Sequence, residues 1–401
     1  MNEFDRIIDR SHTNALAVEG FTDYLFKGKE DLKLSHTHEE LISMWVADMA
    51  FASPSAATDA MIRRIEHPIF GYTMNFDDGY YNAFSSWTQK QYAWNFAKEE
   101  LLISSGVIPA LFDLIEQICG IDEKVLTFTP AYGYFNHAAS HYNKELVSCP
   151  LKVVDGDYFI NFEDLRIKSA DAKLKLLFLC HPHNPTGRLW TDDELRLIGE
   201  ICLENKVIIV SDEIHCDLLR NGKSHTPLAK LFPESDQIIT CMAPSKTFNL
   251  AGMMIANIII ANPKLRTIWK QRTQSFINPI SLAAAQGVYE NGHEWLQSLR
   301  TYLDDNFTEL ESELIKHLPD AIFKIPNATY LAWIDLSAYF PPSVNLTRLF
   351  LDDAGVIVEG GEMFVSDGGT RIRLNVACPR SKLRDAIYRI IKTVKNFNSV
   401  S

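Results

Sequence analysis

The chain has 401 residues, more than one simple hydrophobic core accommodates, and this length predicts two domains. Its net charge of −12 repels phosphate backbones, and no cluster of lysine and arginine suggests a basic groove, which argues against nucleic acid as a partner. The seven cysteines are irregularly spaced and form no C-x-x-C pair, a pattern that favours free thiols in a reducing compartment over disulfides or a zinc site.

Short apolar runs, each followed by polar or glycine-rich residues, predict buried strands in the first two thirds of the chain. Apolar residues at helical spacing predict amphipathic helices between them, at 111–118 and 192–204. Strands that alternate with helices predict a largely parallel α/β sheet. The predicted strands are Leu101–Ser104, Val125–Thr129, Leu176–Cys180, Val207–Val210 and Ile238–Met242.

The pattern changes after about residue 285. Large apolar residues at steps of three and four predict one long helix over 296–318, and a final helix carries 383–394. Strand patterns lie at 329–336 and at 371–376, where apolar and polar residues alternate strictly. We assign 48–285 to a large domain, and 1–47 together with 286–401 to a smaller α+β domain.

The sequence carries no visible export or membrane signal. Residues 1–6 are charged and lack the apolar stretch of a secretory signal. The longest apolar stretch, 250–261, is interrupted by Asn257 and is too short to span a bilayer. We therefore expect a cytoplasmic protein with no membrane contact.

Distinctive residues follow the predicted strands, at the edge where open α/β sheets bind ligands. After the first strand, Gly106 permits a tight turn and Pro109 suits the first turn of a helix, whose free N–H groups can hold a phosphate. After the second strand, Tyr132 is placed to lie flat against a ring. Each feature alone has an ordinary alternative, a plain connection for the first loop and a turn aromatic for the second.

The loop at 181–187 contains two prolines and a glycine, which fix its backbone, so that Asn184 can donate to a ring hydroxyl from a constant position. Its two histidines have no acidic or cysteine partner at ligand spacing, and we expect no metal.

Two charged residues follow the next strands. Asp212 comes after the fourth, where a buried carboxylate is costly unless it is paired, as with a protonated pyridine nitrogen; the alternative is a helix N-cap. Lys246 follows the fifth strand, among small and apolar residues. Desolvation there would make its amine nucleophilic toward an aldehyde, whereas the alternative is an ordinary surface lysine.

In this order, Asn-Pro-x-Gly at 184–187, Asp212 and Ser-Lys at 245–246 resemble the fold-type-I enzymes that use pyridoxal 5′-phosphate (PLP), the aminotransferase class I/II superfamily. The resemblance is closer to one branch, the cystathionine β-lyase-like C–S lyases. It implies a large domain with a mostly parallel seven-stranded-type sheet and a smaller α+β domain. The segments that carry the closer resemblance are Met44–Met49, Phe70–Thr73, Ser211–His215, Ser245–Asn249 and Arg373–Asn375.

The resemblance also implies roles around the cofactor ring and the substrate. Lys246 would hold PLP as a Schiff base and later move the Cα proton, while Asp212 would pair with the pyridine nitrogen. Asn184, helped by His215, would face the ring oxygen. Tyr132 would stack on the ring and border the substrate.

For the substrate, Arg373 would grip the α-carboxylate by a bidentate pair, although the alternation leaves Arg371 on the same face. For the cofactor phosphate, Tyr72 would reach the phosphate of a neighbouring subunit, which requires a homodimer. The other residues implied near the phosphate are Gly106, Val107, Ile108 and Ser245.

Three departures bear on the reaction. His215 stands where many aminotransferases have Tyr, and Met254 stands where many have a phosphate-binding Arg; both fit the lyase branch better. Against this, Ala50 stands where the lyase branch usually has an acidic residue.

The leading prediction is β-elimination from L-cystathionine or L-cysteine to give pyruvate, ammonia and a thiol, and the alternative is transamination. A PLP-binding regulator is disfavoured by the acidic charge and the lack of a spare N-terminal domain.

Overall fold

The structure, a computed structural model, describes residues 2–28, 34–75, 77–273, 276–366 and 369–400. At its centre is a sheet of seven strands in the order β1-β7-β6-β5-β4-β2-β3. The strands are β1 Leu101–Ser104, β2 Lys124–Thr129, β3 Leu146–Pro150, β4 Leu174–Cys180, β5 Ile208–Asp212, β6 Ile238–Met242 and β7 Ala256–Ile260.

The predicted α/β fold with a mostly parallel sheet is confirmed. Strands β2 to β6 pair in parallel, whereas β7 runs antiparallel to both β6 and β1. The five predicted strands match β1, β2, β4, β5 and β6 to within two residues at each end. The sequence analysis missed β3 and β7, and β7 lies inside the apolar stretch 250–261.

Helices cover both faces of this sheet and give three layers. One face packs against helices Val107–Ile118 and Pro263–Arg272 around the buried ring of Trp269. The other face packs against helix Asp192–Glu204, with Trp190 buried beneath it. This last helix begins in a capping box, in which Thr191 and Glu194 satisfy each other's backbone N–H groups. The remaining α-helices are Leu16–Glu19, Phe21–Phe26, Ser55–Glu66, Gly79–Tyr92, Gly133–His141, Phe162–Ser169, Leu228–Leu231, Pro244–Thr247, Pro279–Asn291, His293–His317, Leu346–Leu349 and Arg380–Val400.

The C-terminal third forms a second, antiparallel sheet in the order β8-β10-β9. Its strands are β8 Leu331–Asp335, β9 Glu359–Gly360 and β10 Arg371–Asn375. The helices predicted at 296–318 and 383–394 are present as His293–His317 and Arg380–Val400. Two short two-stranded sheets are also present, Ile42–Ser43 with Val356–Ile357 and Lys152–Val154 with Asp157–Phe159. The proposed domain boundaries at 48 and 285 stay a prediction.

The segment 44–49 runs between the two sheets and is fixed by hydrogen bonds from both sides. Asn375 of β10 donates its side chain to the carbonyl of Val46 at 2.7 Å. Asn249, which follows the Lys246 helix, donates its side chain to the carbonyl of Met49 at 3.0 Å. This segment therefore holds the edge of the large sheet against the smaller one. No helix in the described ranges is long and apolar enough to cross a membrane.

Candidate active site

A cavity of about 260 Å³ lies at the carboxyl ends of the parallel strands, below segment 44–49. This is the edge at which open α/β sheets bind ligands. All but one of the residues that the sequence analysis assigned to a site line this cavity. They are Gly106, Val107, Ile108, Tyr132, Asn184, Asp212, His215, Ser245, Lys246 and Arg373.

Lys246 reaches the cavity from a four-residue helix that begins with Pro244, directly after β6. Its Nζ donates to the carbonyl oxygen of Ala47 at 2.7 Å. Burial lowers the pKa of Lys246 to about 8, because the ammonium loses hydration, while Asp48 opposes this effect. A larger fraction of this amine is therefore neutral near pH 7 than of an ordinary lysine, as a nucleophile or base requires.

Asp212 is the last residue of β5, and it lies between Cys180 of β4 and Cys241 of β6 in the sheet register. In the described part of the chain, the one hydrogen bond recorded for its carboxylate comes from the backbone N–H of Ile214, at 3.3 Å. Burial raises the pKa of Asp212 to about 7, whereas this hydrogen bond and the charge of Lys246 lower it. Within the described ranges this carboxylate has no close cationic partner, which the protonated ring nitrogen of a pyridine would supply.

His215 lies on the cavity wall and is buried. Burial, with help from the nearby charges of Lys246 and Arg373, lowers its pKa to about 3, so the imidazole is neutral at ordinary pH. Among the described residues, its Nδ1 has no hydrogen-bond partner. A buried polar atom of this kind is costly to leave unpaired, which favours a role in holding a ligand.

The phosphate end of the predicted site is the start of helix Val107–Ile118. Gly106 is its N-cap, in an extended backbone conformation, and Val107 and Ile108 form its first turn. The first N–H groups of any helix lack intrahelical partners and carry partial positive charge, so this end suits a phosphate. Ser245 lies on the same cavity wall and adds a hydroxyl.

Arg373 projects from β10 into the cavity and is buried. Its Nη1 donates to Oδ1 of Asn184, and its Nη2 donates to the carbonyl of Trp45, both at 3.0 Å. Nη2 also forms an ion pair with Glu359 of the adjacent strand β9. Arg371 instead pairs with Asp335 at 2.9 Å and lines a separate cavity, so Arg373 is the arginine of β10 that faces this site.

Aromatic residues form the outer wall. The rings of Tyr132 and Tyr134 stack with centroids 5.3 Å apart, and burial raises the pKa of Tyr132 well above its usual value. Tyr24 and Trp45 pack against each other at 4.9 Å and also line the cavity. The sequence analysis missed Tyr24, Trp45 and Glu359 as cavity residues. Trp45 had a signal, because it lies in the segment Met44–Met49 that carried the resemblance, and Glu359 had one in the apolar run 356–358 that precedes it.

Tyr72 is the predicted site residue that this chain does not bring to the cavity. Its side chain is 91% exposed, and its ring lies 5.0 Å from that of Phe276 on the surface. Phe70, Ile69 and Met74 are exposed beside it in the sequence. A cluster of exposed apolar side chains of this kind is typical of a surface that another chain covers.

Ala50, which stands where the lyase branch usually has an acidic residue, lies away from the cavity. Among the described residues, Ala50 lines a neighbouring cavity, which it shares with Arg10 and Asp48. Arg10 holds Asp48 in a two-point ion pair at 2.7 and 3.1 Å.

In the described ranges, no group of three or more His, Cys, Asp and Glu side chains is placed to hold a metal ion.

A half-buried lysine, a strand-end carboxylate and an arginine around one cavity of a three-layer α/β domain define the architecture of the fold-type-I PLP transferases. The chain belongs to the aminotransferase class I and II family, whose model matches residues 39–390. The resemblance noted from the sequence is thereby confirmed.

Individual relatives agree with the predicted branch. The chain is 37% identical to cystathionine beta-lyase PatB of Bacillus subtilis, over 90% of this chain and 96% of that protein. It is 45% identical to a PLP-bound C–S lyase of Staphylococcus hominis in complex with L-cycloserine, with a TM-score of 0.95 over 98% of both chains. PLP-containing cystalysin of Treponema denticola is 28% identical, with a TM-score of 0.91 over 99% of both chains.

Proposed function

We propose that this protein is a PLP-dependent C–S β-lyase, which cleaves L-cystathionine or L-cysteine-type substrates to pyruvate, ammonia and a thiol. The observation that carries the proposal is the convergence of Lys246, Asp212 and Arg373 on one cavity. The names of the relatives, which include a cystathionine beta-lyase and a C–S lyase, favour elimination over transamination.

The residues of the cavity fit PLP. Lys246 would hold its aldehyde carbon, Asp212 its ring nitrogen, and Asn184 with His215 its ring oxygen, while Tyr132 would cover the ring. The orphaned Nδ1 of His215 and the sparsely bonded carboxylate of Asp212 both support this placement. Its phosphate would lie against Gly106, Val107, Ile108 and Ser245. When bound, PLP supplies an electron sink for negative charge at the substrate Cα.

The chain's own groups would orient the substrate and move its proton. Arg373 would bind the α-carboxylate by two parallel N–H donors, which fixes the position of the Cα–H bond. The Nζ of Lys246, whose pKa is lowered to about 8, would take the Cα proton and can deliver it to the departing sulfur. The side chains of half-buried Tyr132 and buried Trp45 would restrict the access of water.

We further propose a homodimer in which Tyr72 reaches the PLP phosphate of the neighbouring subunit. The support is the exposed apolar surface formed by Tyr72 and Phe276, which lies outside the chain's own cavity. We also propose a cytoplasmic location, because the seven cysteines are all free and a reducing compartment keeps them so.

Pyruvate release tests the reaction. The PLP-loaded protein is incubated with L-cystathionine and with L-cysteine in the absence of any 2-oxo acid, beside the Lys246→Ala variant. We expect repeated turnover that depends on Lys246. If no pyruvate forms, but amino groups are transferred once a 2-oxo acid is supplied, the enzyme is an aminotransferase and the lyase proposal is wrong.

A further inference from the structure

The cavity contains a carboxylate that the reaction outlined above does not use. Glu359 lies on β9 directly opposite Arg373 of β10 in the antiparallel register. Its side chain lines the cavity, and the residue is only 3% exposed. The carboxylate forms its ion pair with Nη2 of Arg373.

This ion pair occupies part of the surface that a substrate carboxylate needs. Arg373 already donates from Nη1 to Asn184 and from Nη2 to the Trp45 carbonyl. A bidentate carboxylate requires two parallel N–H donors on one edge of a guanidinium. Any pair of parallel donors of Arg373 that includes Nη2 is therefore already partly occupied by Glu359. Within the described residues, Nε of Arg373 is buried without a hydrogen-bond partner, so the arginine has donor capacity left to offer.

Electrostatics make the two carboxylates competitors. Arg373 is the only ion-pair partner recorded for Glu359 in the described part of the chain. Burial raises the pKa of Glu359, and the adjacent Arg373 lowers it. A second carboxylate on the same guanidinium would bring two like charges together where little water screens them, which is strongly unfavourable.

We propose that Glu359 is a resident carboxylate, which holds Arg373 in place before substrate arrives and which the substrate α-carboxylate displaces from the guanidinium. The inference rests on the proposed function, because it takes Arg373 as the carboxylate-binding residue. Glu359 is thus a positioning residue that sets the affinity for substrate. It balances the charge of Arg373 in the resting cavity and makes each substrate carboxylate compete for that arginine.

Competition and a purely structural role of Glu359 predict opposite changes in the affinity for carboxylates when its charge is removed. If Glu359 only supports Arg373, its loss should loosen the arginine and weaken the binding of carboxylates. If Glu359 competes, the uncharged and nearly isosteric Glu359→Gln variant should bind carboxylates more tightly. Glu362 provides a matched control, because its exposed carboxylate bonds to Thr347 rather than to Arg373.

The test measures the affinity of propionate for the PLP-loaded enzyme by calorimetry. Propionate has a carboxylate but no amine, so it probes the arginine without reacting at Lys246. We expect at least about tenfold tighter binding in Glu359→Gln and a change of less than about twofold in Glu362→Gln. Glu359→Asp, which draws the charge back by one methylene, should give a smaller gain and serves if the first variant folds poorly.

Unchanged or weaker propionate binding in both Glu359 variants would overturn the proposal. The Arg373→Gln variant separates this failure from failure of the proposed site. If propionate binding does not depend on Arg373, the assignment of the substrate site is wrong. If binding depends on Arg373 but is not strengthened by loss of the Glu359 charge, only the competition between the carboxylates is wrong.

Discussion

Replacing Asp212 by Asn should stabilise the cofactor-free protein while it weakens cofactor binding. Burial raises the pKa of Asp212 from a usual value of 3.8 to about 7. A buried carboxylate with a raised pKa disfavours folding once it is ionised, so the free energy of unfolding falls as the pH rises from about 4 to about 7. Asn has the same shape and carries no charge to desolvate.

The pKa shift sets the size of the effect. A shift of roughly three pH units corresponds to about 4 kcal/mol, which is fully expressed above pH 7. At pH 5 the folded state is largely protonated, and the penalty falls to roughly 2 kcal/mol. Asp212→Asn should therefore raise the unfolding free energy of the cofactor-free protein by about 4 kcal/mol at pH 8 and by about half of that at pH 5.

PLP binding should change in the opposite direction. Asn cannot form an ion pair with a protonated ring nitrogen, and the loss of a hydrogen bond between charged groups, of about 1.5–3 kcal/mol, weakens PLP binding roughly 10- to 100-fold. Urea unfolding of the cofactor-free proteins at the two pH values gives the first effect, and absorbance titration with PLP gives the second. A variant that is no more stable at pH 8 than at pH 5, relative to the parent, would refute the electrostatic reasoning. Unchanged PLP affinity would refute the placement of the ring nitrogen.

Three further predictions concern the proposed reaction. Lys246→Ala should abolish pyruvate formation although the protein still folds, since the variant loses the only lysine in the cavity wall among the described residues; circular dichroism and a pyruvate assay check this. Arg373→Lys should raise KM for L-cysteine by about 10- to 100-fold with a smaller effect on kcat, because Lys cannot offer two parallel donors; a change confined to kcat would contradict it. Tyr72→Ala should lower PLP affinity, and co-expression with Lys246→Ala should restore about a quarter of the parental activity, because a mixed dimer contains one site with both side chains intact. If the co-expressed variants form pyruvate no faster than either variant alone, the shared site is refuted.

The sequence predicted the parts of the fold whose signals are local. Strands such as Leu101–Ser104 and Ile238–Met242 have apolar runs bounded by turn residues, and both were found at their predicted bounds. Strand Ala256–Ile260 was missed because it lies in a longer apolar stretch, where periodicity does not distinguish strand from helix. Its antiparallel direction depends on pairing with Ser104 and Met242, which are distant in the chain.

The residues of the site divide in the same way, into those with a local sequence signal and those placed by distant contacts. Asp212 and Lys246 could be predicted because each follows a recognisable buried strand. Glu359 also follows an apolar run, Val356–Val358, and precedes two glycines, so the rule that singled out Asp212 would have marked it. Tyr24 had no such signal, because its place on the cavity wall depends on how helix Phe21–Phe26 packs against Trp45.

One backbone segment links the two groups on which the reaction depends. Arg373 donates to the carbonyl of Trp45, and Lys246 donates to the carbonyl of Ala47, two residues further along. Tyr330 donates to the same Ala47 carbonyl at 2.8 Å, which restrains this peptide from the side of the smaller sheet. The arginine that would orient the Cα–H bond and the amine that would accept its proton are thus hydrogen-bonded to the same short backbone segment rather than to separate loops. A shift of this segment would move both groups together, so proton transfer and carboxylate binding should respond jointly to changes at 45–47.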